Sequence, residues 1–189
     1  SGTPTYTPAA GTFAVTNNLT LAGAGAATLN FDTSDPTVDI NGVVTIGSGD
    51  TIVGSATGAF AVAGNWANSG TYTPSTGGTV TFDATSGTKT INNNASSFYN
   101  LTMNGSGGTF EATTNALTIT NDLTVTAGTF TTSSQNVTVG GNVSGAGTIN
   151  LASGTLEQVV AGASRTFGED SAIGAFTENL VDGGADQED

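Results

Sequence analysis

Four aspartates in the first third of the chain, Asp32, Asp35, Asp39 and Asp50, are the side chains best suited to chemistry. Carboxylates can bind Ca²⁺ or act as an acid–base pair in the hydrolysis of a sugar polymer. However, residues 32–36 are Asp-Thr-Ser-Asp-Pro, which is typical of a turn. The chain lacks the glycine-spaced loop of a calcium hand, and isolated carboxylates do not establish the separation that a glycosidase requires. We therefore predict no catalytic residue, no metal site and no cofactor, and expect the protein not to be an enzyme.

N-glycosylation is a second kind of chemistry that the sequence offers. The triplet Asn-x-Ser/Thr begins at six positions: Asn18, Asn94, Asn100, Asn104, Asn136 and Asn142. On a strand, the Asn and the residue two positions later share one face. Because Leu or Val lies between them at Asn18, Asn100 and Asn136, we expect these three asparagines to face solvent, within reach of a glycosyltransferase. The same side chains could instead stack between neighbouring strands, and a chain rich in Asn and Thr also forms such triplets by chance.

Composition excludes several classes of function. The 189 residues contain no His and no Cys, which removes thiol chemistry, disulfides and zinc sites built on these residues. One Lys and one Arg against 15 Asp and Glu residues give a net charge of −13, so nucleic acid and anionic membrane surfaces repel the chain. No apolar run approaches the ~18 residues needed to cross a bilayer, so we expect no membrane insertion.

The elements that position these residues are short strands. Apolar residues alternate with Thr, Asn or Ser, and glycine-rich breaks separate the runs. Between Gly108 and Gly147 the chain nearly repeats itself, because Gly-Thr-Phe at 108–110 and at 128–130 is followed by Gly-Thr-Ile at 147–149. A period of about 20 residues indicates a chain that coils and stacks. We therefore predict an all-β fold, a β-solenoid (β-helix) with about 20 residues per coil, and keep a β-sandwich as the alternative.

The two ends of the chain differ in sequence from the repeating part between them. Residues 1–12 contain Pro4 and Pro8 and are predicted to form an extended arm, residues 13–157 the solenoid, and residues 158–189 an acidic cap or exchange segment. The last 21 residues carry seven of the 15 acidic residues. Apolar residues near both ends are predicted to contact another copy of the chain: Tyr6, Phe13, Phe167, Ile173, Phe176, Leu180 and Val181.

Several stretches resemble recurring phrases of large bacterial and archaeal surface proteins. They are residues 64–74 (Gly-Asn-Trp-Ala-Asn-Ser-Gly-Thr-Tyr-Thr-Pro), 79–82 (Thr-Val-Thr-Phe), 98–103 (Phe-Tyr-Asn-Leu-Thr-Met) and 141–149 (Gly-Asn-Val-Ser-Gly-Ala-Gly-Thr-Ile). Those proteins are repetitive and similar to adhesins or autotransporter passengers. The resemblance covers residues 58–156 and implies a right-handed β-helix in a secreted or surface-displayed protein. It implies no functional residue, because these proteins share no fixed site.

The ends of a solenoid expose unpaired strand edges, which invite another chain. We therefore expect a structural subunit of an extracellular filament or surface appendage, in which copies assemble head to tail and terminal segments add strands to the neighbour. The alternative is a monomeric adhesin or passenger fragment that binds glycans or host surfaces. Both hypotheses place the protein outside the cell or at its surface. The expected partner is a second copy, with glycans as the other candidate.

Overall fold

The computed structural model describes residues 3–23, 25–159 and the backbone of 172–174. These residues form no helix, and their parallel strands stack into a β-solenoid of about 7 turns with ~21 residues per turn. The predicted solenoid is confirmed. The sandwich alternative is excluded, because each strand pairs in parallel with strands one turn away along the chain.

The strands lie on three faces, and each turn contributes to all three in the same order. The first face contains β1 (Thr5–Tyr6), β4 (Thr28–Asn30), β7 (Thr51–Val53), β10 (Thr71–Thr73), β13 (Ser97–Phe98), β15 (Leu117–Ile119), β17 (Asn136–Val139) and β20 (Thr155–Gln158). The second contains β2 (Thr12–Val15), β5 (Thr37–Ile40), β8 (Ala59–Val62), β11 (Thr79–Phe82), the first halves of β14 (Asn100–Ala112) and β16 (Leu123–Thr131), and β18 (Val143–Ser144). The third contains β3 (Leu19–Leu21), β6 (Val44–Ile46), β9 (Trp66–Asn68), β12 (Gly87–Asn92), the second halves of β14 and β16, β19 (Thr148–Asn150) and β21 (Ala172–Gly174).

The repeat seen in the sequence corresponds to one turn per copy. Thr109 aligns with Thr129, and Thr129 aligns with Thr148. The glycines that open the copies lie at a corner where successive turns come too close for a side chain. A Cβ on Gly108 would lie 2.2 Å from the Ala84 carbonyl oxygen, and one on Gly128, whose φ is +81°, would lie 2.3 Å from the Gly105 oxygen. These glycines therefore recur because the corner leaves room only for backbone.

A continuous apolar core runs through the centre of the stack. Along each strand every second side chain points inward, so residues aligned in neighbouring turns pack on one another. Eight aromatic rings form a linked column with centroids 5.0 to 6.5 Å apart: Phe13, Phe31, Phe60, Trp66, Tyr72, Phe82, Phe98 and Phe110. Aromatic pairs at such distances add ~0.5–1.5 kcal/mol each beyond the area they bury. Trp66 and Tyr72 are thus core residues, and burial raises the pKa of the Tyr72 phenol.

Side chains replace the backbone ladder at one junction on the first face, between β10 and β13. The turn that ends there is long, because Asn68 and Asn93 are 25 residues apart. The Asn68 amide donates to the Asn93 carbonyl oxygen at 3.1 Å, and the Trp66 indole Nε1 donates to Asn93 Oδ1 at 2.9 Å. The Tyr72 backbone N–H donates to Ser96 Oγ at 3.1 Å. Ser96 Oγ is therefore the acceptor that joins β10 to the segment before β13, and Asn93, which is only 3% exposed, donates its amide to the Ser96 carbonyl oxygen at 2.9 Å.

We expect Asn93→Ala to lower the free energy of unfolding by about 1–3 kcal/mol, because it leaves the Trp66 indole as a buried donor without an acceptor and removes the hydrogen bond from the Asn93 amide to the Ser96 carbonyl. Urea unfolding followed by tryptophan fluorescence measures the change. Asn104→Ala is the matched control, since the Asn104 side chain is exposed and makes no hydrogen bond to the described residues. The control is expected within about 0.5 kcal/mol of wild type. Equal losses in the two variants would contradict the assigned role of Asn93.

Candidate self-association interface

The first turn, formed by β1, β2 and β3, is open on one side in the described part of the chain. Among the described residues β1 pairs only with β4, β2 only with β5 and β3 only with β6. The inward side chains Phe13, Val15, Leu19 and Leu21 are half-buried. The side chains aligned with them in the next turn are fully buried: Val38, Ile40, Val44 and Ile46. The first turn therefore exposes apolar surface that one more turn would cover.

The first turn also contains no charged side chain. The first charged residue of the chain is Asp32, which lies after the first turn. Soluble proteins commonly protect exposed sheet edges with charged side chains, because charge discourages pairing with another chain. An uncharged edge with half-exposed apolar side chains is therefore suited to contact with a further strand.

The predicted contact residues fall in different places. Tyr6 and Phe13 both lie in the first turn, where Tyr6 is 62% exposed and Phe13 packs at 5.2 Å from the Phe31 ring. The predicted arm at residues 1–12 supplies β1, which pairs with β4 of the same chain. Ile173 lies in β21, whose backbone aligns with β19. The other predicted contacts lie outside the described residues: Phe167, Phe176, Leu180 and Val181.

The four aspartates considered as a site have separate structural roles. Asp32 is exposed at the turn that the sequence predicts for residues 32–36. Asp35 accepts hydrogen bonds from Ser55 Oγ at 2.8 Å and from the backbone N–H of Ala56 at 2.7 Å, one turn further along. These bonds, that of Ser55 first, lower the pKa of the Asp35 carboxyl. Asp50 is buried and accepts from the N–H of Ala27 at 2.9 Å in the preceding turn. In the described part of the chain no group of three or more such residues could hold a metal ion.

Asp83, which follows β11, is the acidic residue with the least favourable surroundings. Its Oδ1 is the buried side-chain oxygen that lacks a hydrogen-bond partner in the described region. Burial raises the pKa of the Asp83 carboxyl, and the negative charge of Asp39 raises it further. Because folding raises this pKa, the ionised carboxylate destabilises the fold at neutral pH. The cost is relieved as the pH falls through the raised folded-state pKa.

We expect Asp83→Asn to stabilise the protein by roughly 0.5 kcal/mol at pH 7, an effect kept small by the partial exposure of the group. The advantage over wild type is expected to shrink towards about pH 4, because protonation then removes the same charge from wild type. Thermal melts of both proteins between these pH values measure the difference. Asp32→Asn, which removes an exposed charge, is the control for the loss of one negative charge from the chain. A constant difference between wild type and Asp83→Asn across the range would contradict the assignment.

The three glycosylation-triplet asparagines predicted to face solvent differ in the hydrogen bonds that their side-chain amides make. Asn18 and Asn136 are exposed, and each uses only its Oδ1, accepting from the Val43 N–H and from Thr155 Oγ1, both at 2.9 Å. Asn100 is half-buried, and its amide nitrogen donates to the Gly77 carbonyl at 3.2 Å. A glycan on Asn100 would break that bond, so glycosylation remains a prediction that Asn18 and Asn136 accommodate better.

Asn100 belongs to a ladder of polar side chains between neighbouring turns, which is the alternative that the sequence leaves open for these asparagines. Its Nδ2 donates to Thr79 Oγ1 at 3.3 Å, and its Oδ1 accepts from the Asp122 N–H at 3.2 Å. Asp122 Oδ1 in turn accepts from the Asn142 N–H at 2.7 Å. The ladder links four successive turns at one corner. Its only sequence signal is a polar residue directly before the inward residues Val80, Leu101, Leu123 and Val143.

Comparisons with protein-family models, curated proteins and solved structures find no match to this chain. In the described segments no helix is long and apolar enough to cross a membrane.

Proposed function

We propose that the chain is a structural subunit of an extracellular filament or surface appendage, and that its copies assemble head to tail through the ends of the solenoid. The observation that carries this proposal is the open first turn. Its three strands are paired on one side within the described chain, and its inward side chains are half-buried. Covering them would yield roughly 25 cal/mol for each Å² of apolar surface removed from water.

The charge distribution supports contact at this end and opposes contact along the sides. A net charge of −13 makes copies repel one another at low salt. Acidic side chains lie along the body, for example Asp39 on β5 and Glu111 on β14, whereas the first turn has none. Association along the stacking axis therefore has to overcome less electrostatic repulsion than association side by side.

The extracellular part of the proposal rests on composition and on the resemblance to repetitive surface proteins. One Lys and one Arg in 189 residues leave few cleavage sites for proteases with trypsin-like specificity. The solenoid fold is the one that this resemblance implies, and a regular stack can serve as a rod without any catalytic group. The competing proposal is a monomeric adhesin that presents a flank of the rod to glycans or host proteins.

We expect the purified chain to form particles longer than one rod as its concentration rises. A single copy with about 7 turns at ~4.8 Å per turn is roughly 34 Å long. Raising the ionic strength from about 0.01 M to 0.15 M is expected to favour assembly, because the Debye length falls from ~30 Å to ~8 Å and the acidic bodies repel less. Sedimentation velocity and negative-stain electron microscopy measure both effects. Single rods of one length at every concentration and salt would support the monomeric adhesin instead.

A further inference from the structure

We propose that the first turn is the acceptor in this assembly, and that it accepts the C-terminal end of a second copy, added in parallel along the free edge that β1, β2 and β3 share. This inference rests on the proposed self-assembly. It adds the direction of the contact, the strands that make it and the backbone groups that would donate and accept. It also reverses the expectation that residues 1–12 donate a strand to a neighbour, since β1 is already paired with β4 of its own chain.

The backbone of β2 shows which groups are free. The Thr37 N–H donates to the Gly11 carbonyl at 2.8 Å, and the Asn41 N–H donates to the Val15 carbonyl at 2.9 Å. In a parallel strand the N–H and C=O of one residue point to the same side, and the side alternates from residue to residue. Gly11, Phe13 and Val15 therefore face β5. The N–H and C=O of Ala14 face away from the stack, towards a strand that would precede β2.

The same alternation holds for β3 and β1. The Leu19 N–H donates to the Val43 carbonyl at 2.9 Å, so the backbone groups of Thr20 lie on the free side. On β1 the Thr28 N–H donates to the Pro4 carbonyl at 2.9 Å, which places Pro4 on the stack side and Thr5 on the free side. A proline protects a sheet edge from pairing when its nitrogen, which has no hydrogen to donate, lies on the free side of the strand. Here Pro4 lies on the opposite side, so it leaves the donors of the free edge intact.

The parallel order of the stack determines what can occupy this edge. Each turn offers one edge to the turn before it and the other edge to the turn after it. Within the stack, the edge that the first turn leaves free is the edge that pairs with the turn before it. The surface that can pair with this edge is therefore the opposite end of another copy. There, within the described residues, β20 pairs only with β17 and β18 only with β16. A contact between these two different ends does not close on itself, and repetition builds a filament.

The side chains are compatible with that occupant. Phe13 already ends the aromatic column of the core, so an inward side chain of an added turn would pack on its uncovered side. Glu157 is the charged residue of β20, and the first turn contains no acidic group to repel it. The described strands β18 and β20 therefore bring no like-charge pair to this contact.

Ala14→Pro tests the acceptor directly, with Ala14→Ser as its matched control. Proline removes the free-edge N–H of residue 14 and leaves the hydrogen bonds between β2 and β5 in place. We expect the full-length Ala14→Pro chain to need an at least about tenfold higher concentration to associate, whereas Ala14→Ser associates like wild type. Sedimentation velocity measures association, and circular dichroism melts check that each variant is folded.

A second pair of variants keeps the test valid if proline disturbs folding. Val15→Lys places a charge on the half-buried inner side of the open end, and Thr16→Lys places the same charge on the adjacent exposed position. Only Val15→Lys is expected to block association, because an inward charge at the edge must be desolvated when a further turn covers it. Folded Ala14→Pro or Val15→Lys chains that associate like their controls would overturn the acceptor assignment while leaving self-assembly standing. A wild-type chain that never associates would remove the proposed function itself.

Mixing distinguishes the direction of the contact. An Ala14→Pro copy lacks a working acceptor but retains its C-terminal end, so it can add to the first turn of a wild-type filament and then block further growth there. Small amounts of this variant are expected to shorten wild-type filaments seen by electron microscopy. Unchanged filament lengths with the variant incorporated along them would show that association does not use β2.

Discussion

Parallel hydrogen bonding between successive turns is the interaction on which the rest of this structure depends. A strand here has no partner within its own turn, so its backbone groups are satisfied only by the turns on either side. That requirement fixes the register, since Thr129 must lie between Thr109 and Thr148 for the ladders to form. It also explains the glycines at the corners, because turns at hydrogen-bonding distance leave no room for a Cβ at Gly108 or Gly128.

Polar side chains maintain the same spacing where the backbone ladder is interrupted or bends. Ser96 joins β10 to the segment before β13, and Asn93 binds Trp66 of the preceding turn. Asp35 holds another corner through Ser55, and Asn100 with Asp122 links four turns. The acidic and amide groups that first suggested chemistry thus connect one turn to the next. A stack built in this way has no internal reason to stop. Its ends are therefore the places where such a chain either is capped or meets another chain.

Much of the fold could be predicted from the sequence, because a period of about 20 residues and alternating apolar residues are local signals. The turn at Asp32–Pro36 could be predicted for the same reason. The partners of each polar group could not, since Asp35 meets Ser55 and Ala56 only after the chain has completed a turn. The sequence leaves open whether Asn100 faces solvent or stacks between neighbouring strands, and its half-buried place in a ladder depends on Thr79 and Asp122 in the neighbouring turns. Val15 and Leu19 have the sequence pattern of core residues, and only their position in the first turn leaves them half-buried.

The most direct test of the central claim, that copies extend one parallel stack, is X-ray fibre diffraction from aligned assemblies of the purified chain. Head-to-tail stacking of the solenoids predicts a strong reflection along the filament axis at ~4.8 Å, because every turn in every copy then lies perpendicular to that axis. A ~4.8 Å spacing found only across the filament axis would mean that the rods associate by their sides. That result would contradict the account.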